Sequence, residues 1–177
     1  MSKRDLKKYL SELNKEQLEE QITELYEKFN AVKVFYDFVF NPKEEKLLQE
    51  YKLKISNEYF PKSRMGSRGK PKPKLRRSVA QKSIKHFITL GVDPFVIADI
   101  MLYNIEIAQA YSSENDIKQV LFYKSMLNSF EQATDFILSN GIYSSFKSRI
   151  KTIQQETLNQ KWSNKYEFER IVSKFEF

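Results

Sequence analysis

Residues 15–40 read KEQLEEQITELYEKFNAVKVFYDFVF, and the class of the fold turns on how that stretch is taken. Its second part, VKVFYDFVF (32–40), is rich in β-branched and aromatic residues and taken alone would pass for a strand. Read from Leu18, however, the apolar positions are Leu18, Ile22, Leu25, Phe29, Val32, Tyr36 and Val39, spaced alternately by four and three. No Gly or Pro interrupts them. That period puts all seven on one stripe of a helix from about Lys15 to Phe40. Asn14 is a suitable N-cap, with Gln17 placed to complete a capping box.

The same grammar extends in both directions. A short helix capped by Ser2 carries Leu6, Tyr9, Leu10 and Leu13. Asn41-Pro42 reads as a cap and first helical position for KEEKLLQEYKLKISNEYF, which makes the first sixty residues a helical hairpin. Further on, RRSVAQKSIKHFITL ends at Gly91, and Asp93-Pro94 opens FVIADIMLYNIEIAQAY, apolar around most of its circumference and therefore the central buried helix. Ser113 and Asp116 fit a capping box for a long helix that stops near Gly141. Two amphipathic segments follow, through Phe146, Ile150 and Ile153 and through Tyr166, Phe168, Val172 and Phe175. The pairs Gly91-Val92 and Gly141-Ile142 echo each other, but nothing inside the helices repeats with them. The expectation is an all-α, single-domain bundle of about seven helices spanning 1–177, broken once by a flexible basic loop at 61–74.

Composition bounds the rest. The chain has 177 residues, 14 Phe and 10 Tyr but only four Gly and five Pro, which suits a few long elements around a real core. With no cysteine, disulfides and thiolate metal sites are excluded and a reducing cytoplasm fits. The first twenty residues lack the apolar run of a signal peptide, and nowhere do apolar residues run long enough for a membrane span. A cytoplasmic protein with no membrane partner is expected.

The net charge of +7 is unevenly spread. Residues 1–60 carry 11 Lys and Arg against 12 Asp and Glu, and residues 78–177 carry 11 against 11. The stretch between them, PKSRMGSRGKPKPKLRR (61–77), holds eight basic residues and no acid. Its prolines and glycines disfavour helix until about Leu75, after which Arg77, Gln81 and Lys85 form one stripe with Ser78, Lys82 and His86 beside it; Val79, Ile84, Phe87 and Ile88 point toward the core. The expected polyanion-binding residues are thus Lys62, Arg64, Arg68, Lys70, Lys72, Lys74, Arg76, Arg77, Lys82 and Lys85. Cations on such an arm can follow an RNA or DNA backbone and release its counterions. With no aromatic interleaved in 61–77 and no recognised nucleic-acid motif, readout of base sequence is not expected. The alternatives are an acidic protein partner or a solvated linker kept soluble by charge.

Catalytic signals are sparse, and a non-enzymatic protein is expected. His86 is the single histidine, which removes multi-His metal sites; no metal and no cofactor are expected. Asp99 and Glu106 lie seven apart on the most apolar helix, with Tyr103 on the same stripe and Asn104 adjacent. They could bind a cation or exchange protons. The simpler account is a wet stripe, or pairing with Lys or Arg of a neighbouring helix. A second functional reading is a protein-interaction module that docks through the helical hairpin.

At NPKEEKLLQEYK (41–52) and KLRRSVAQKSIKHF (74–87), and in the opening MSKRDLKKYLSELN, the chain resembles an uncharacterised family of small bacterial proteins. The resemblance implies a cytoplasmic, single-domain protein and carries no assigned activity or site residue.

Overall fold

The computed structural model describes residues 2–62 and 71–174. The described residues are all-α, with nine helices and no strand: α1 (Lys3–Ser11), α2 (Lys15–Lys28), α3 (Asn30–Phe40), α4 (Glu44–Tyr59), α5 (Arg77–Leu90), α6 (Pro94–Glu114), α7 (Val120–Ser139), α8 (Tyr143–Asn159) and α9 (Lys165–Ser173). The chain divides into two compact units, residues 1–43 and residues 44–177.

The first unit holds α1, α2 and α3. Ser2 and Asp5 form the capping box of α1, and Asn14 and Gln17 that of α2, with Gln17 N–H donating to Asn14 Oδ1 at 2.9 Å. The expected single helix over 15–40 is broken at Phe29, whose φ of −120° and ψ of 109° are extended. Phe29 C=O then accepts from Val32 and Lys33 and starts α3 without a side-chain cap. Asn30 is a poor helix-interior residue, and an isolated amphipathic helix gains little from length alone. Breaking it lets α2 and α3 meet, and Tyr26 Oη donates across the break to Asp37 Oδ1 at 2.7 Å. The strand reading of 32–40 is excluded, and the break is one reason there are nine helices and not about seven.

The second unit holds the core. As expected, α6 is its centre: Ile97, Ala98, Ile100, Met101, Leu102, Ile105 and Ala108 are buried, and α4, α5, α7 and α8 pack against it. Tyr59, Phe87, Met126, Phe130, Ile150 and Phe168 complete the interior, each side chain of this size adding about 1.5–3 kcal/mol on burial. Trp162 packs edge-on against Phe122, Tyr123 and Phe168 and joins α9 to α7. Gly91 and Gly141 stop α5 and α7 at φ of 70° and 69°, a conformation that favours glycine. In each case the next residue, Val92 or Ile142, is buried and donates back into the last turn.

Several boundaries and two exposures differ from expectation. α4 starts at Glu44, two residues past Pro42, and packs on α6 and α5 inside the second unit. α5 starts at Arg77, and Ile88, expected to face the core, is 52% exposed. Ser113 and Asp116 form no capping box, because α6 runs on to Glu114. Ser113 Oγ donates back to Ala110 C=O at 2.8 Å, and α7 opens only at Val120. Tyr166, expected on the buried stripe of the last helix, is 66% exposed. Among the described residues no helix is long and apolar enough to cross a membrane.

Candidate functional site

The basic stretch leaves α4 after Tyr59 and returns to the same point. Lys74 and Leu75 donate their backbone N–H groups to Glu58 C=O at 2.9 and 3.2 Å. Arg76 then closes on the Glu58 carboxylate with a two-pronged guanidinium, Nε at 2.8 Å and Nη2 at 2.7 Å. Glu58 is buried, and the Arg76 hydrogen bonds outweigh burial to hold its carboxyl below the ordinary glutamate range. One residue therefore anchors the returning end twice, its backbone carbonyl holding Lys74 and Leu75 and its carboxylate holding Arg76. Since α5 packs against α4 within one compact unit, the stretch does not link separate bodies.

The expected binding residues part company here. Arg64, Arg68 and Lys70 lie outside the described residues. Arg76 is bound to Glu58. Arg77 turns onto α7, donating from Nε to Ser129 Oγ and from Nη2 to Gln132 Oε1, both at 2.9 Å, and its partial burial lowers its pKa. Lys62, Lys72, Lys74, Lys82 and Lys85 are exposed, and no carboxylate among the described residues pairs with them. His86 sits beside the Tyr51 ring, centroids 5.8 Å apart.

Asp99 and Glu106 are gathered by a residue that sequence reasoning did not single out. Arg149 of α8 donates from Nη1 to Asp99 Oδ1 at 2.5 Å and from Nε and Nη2 to the two Glu106 oxygens at 2.5 and 2.8 Å. Its Nη2 also reaches Asp99 C=O at 3.2 Å. Lys52 of α4 supplies a second cation, 2.5 Å from Asp99 Oδ2 and 5.3 Å above the centre of the Tyr103 ring. Burial opposes the charge on Asp99, yet hydrogen bonds from Lys52 and Arg149 prevail and keep its carboxyl below the usual aspartate range. Two cations answer two carboxylates, so α4, α6 and α8 are tied together by a neutral, half-buried network. Among the described residues no group of three or more His, Cys, Asp and Glu could hold a metal ion.

No curated protein and no solved structure matches the chain. A model of the family of unknown function designated DUF6155 matches residues 1–176, and the chain belongs to that family.

Proposed function

We propose that the protein binds a polyanion, the backbone of RNA or DNA, through the basic loop and the exposed lysines of α5. The observation that carries this reading is the concentration of charge. Eight basic residues and no acid lie between positions 61 and 77, in a loop whose returning end is held at Glu58. Among the described residues the carboxylate paired with this stretch is Glu58, and its ion pair is with Arg76. Lys62, Lys72, Lys74, Lys82 and Lys85 remain available to phosphates, and each contact releases counterions. Recognition follows charge and shape.

The test is fluorescence anisotropy of labelled oligonucleotides against the full chain over a range of salt. Affinity falling steeply with salt, and falling again when Lys82 and Lys85 become Ala, supports the reading. Undetectable binding at low salt, or binding indifferent to salt, ends it.

A second reading, docking of an apolar protein partner, is favoured by the first unit. None of α1, α2 or α3 contains a buried residue, while Leu6, Tyr9, Ile22, Leu25, Phe29, Val34, Phe35, Val39 and Phe40 are exposed. A unit this small cannot bury a core of its own. Enhancement of a hydrophobic dye's fluorescence, reduced by Ile22→Glu with Val39→Glu, checks that these faces are open in solution. Absence of enhancement counts against docking there.

A further inference from the structure

Beside the returning end of the basic loop lies a notch of about 240 Å³, lined by Lys74, Leu75, Gln119, Leu121, Phe122 and Ser125. Its lining mixes the apolar Leu75, Leu121 and Phe122 with the polar Lys74, Gln119 and Ser125. Leu121 is 78% exposed and its neighbour Val120 is 72% exposed, at the start of a helix that carries no side-chain cap. Leu75, also in the lining, is held at a φ of 53°. A left-handed leucine costs about 1–2 kcal/mol, and backbone strain of this kind gathers at functional positions. Here the strain is held in place by the Leu75 N–H bond to Glu58 C=O.

Charge says what fits. Lys74 lines the notch and Lys72 lies two residues before it, while Lys118 and Lys124 bracket Val120 and Leu121 in sequence; Asp116 is the one acid in 115–125. This lining suits an occupant with apolar surface, negative charge and groups that can hydrogen-bond. Ser125 Oγ donates to Phe122 C=O at 3.0 Å and keeps its lone pairs, and Gln119 makes no capping bond.

We propose that this notch receives one unpaired base of a single-stranded nucleic acid, with Leu75 and Leu121 against the base and Lys72 and Lys74 on the adjoining phosphates. The inference rests on the polyanion reading and narrows it, because a duplex keeps its base faces stacked and cannot fill the notch. It also supplies the base contact that residues 61–77, without an aromatic, do not.

The experiment measures binding of the full chain to a labelled oligothymidylate, to a duplex of the same length, and to phosphatidylglycerol vesicles. The single strand is expected to bind about tenfold tighter than the duplex at equal salt. Leu121→Ala should weaken the single strand about fivefold and leave the salt slope unchanged. Because Leu121 is exposed, the thermal melt should not move. Equal affinity for strand and duplex, or indifference to Leu121→Ala, overturns the notch while leaving charge-driven binding intact. Loss of vesicle binding in Leu121→Ala with oligonucleotide binding unaltered assigns the notch to a lipid surface and overturns the proposal. If no nucleic acid binds at all, the polyanion reading fails and the notch with it.

Discussion

Arg76 meets Glu58 through both nitrogens of its fork, 2.8 and 2.7 Å from the two carboxylate oxygens, and so spends its charge inside the molecule. The pair is geometrically strong but half in water, since the Arg76 side chain is 54% exposed. Its larger role is to hold the returning end of the loop, together with the two backbone bonds to Glu58 C=O.

Glu58→Gln should therefore act in opposite directions on stability and on binding. It removes the charge that holds Arg76, so the melting temperature should drop. It also frees a guanidinium for phosphate, so affinity for nucleic acid should rise and the salt slope should steepen by about 0.9. Thermal melts and anisotropy titrations at several salt concentrations check both. A variant that binds more weakly than the native chain refutes the proposed placement of the site.

Arg77 and the α5 lysines should separate in the same assay. Arg77→Ala breaks two hydrogen bonds to α7, at Ser129 and Gln132, and should cost about 1–2 kcal/mol in chemical denaturation while leaving the salt slope nearly unchanged. Lys82→Ala with Lys85→Ala should stay within about 0.5 kcal/mol of native stability yet flatten the slope by nearly two contacts.

Much of this was legible in sequence and some of it was not, for identifiable reasons. Caps and glycine stops are local chemistry, so Ser2, Asn14 with Gln17, Gly91 and Gly141 could be placed without a structure. The burial of α6 followed from its apolar circumference. The break at Phe29 was hidden because the stripe keeps its phase across it. At Ser113 a hydroxyl can cap a new helix or bond back within the old one, and the spacing to Asp116 does not say which. Asp99 and Glu106 were visible as a pair with Lys or Arg as one candidate partner, but Arg149 lies 43 and 50 residues away and only tertiary packing brings it near. For the same reason Arg76 and Arg77 looked as available as Lys82 and Lys85.

Arg149→Met should be the most damaging change in the ionic network. It leaves Asp99 with Lys52 alone and strips Glu106 of both its bonds. Breaking a fully buried pair costs about 3–5 kcal/mol. Here 22% to 34% of each side chain stays in water, so about 2 kcal/mol is expected from urea denaturation. Lys52→Met should couple to it, since both cations act on Asp99, and a double variant should depart from the sum of the singles. Additive losses contradict a shared network.

Acid should weaken the fold through Glu58 and Asp99, two carboxylates that titrate below their ordinary range in the folded chain. Ordinary values are 4.5 for Glu58 and 3.8 for Asp99, and both titrate lower in the folded chain. Just below those values the unfolded chain binds protons that the folded chain does not. Stability therefore rises with pH across this window. The contribution is complete above the unfolded values and is lost as pH falls through the folded ones. Melting temperature followed downward from neutral pH should hold its share from these groups to about 5 and then decline. Glu58→Gln and Asp99→Asn should each begin from a lower plateau and decline less steeply, because the group whose protonation drives the loss is gone. An unchanged slope in both variants assigns the acid sensitivity to other carboxylates and removes these two from the account.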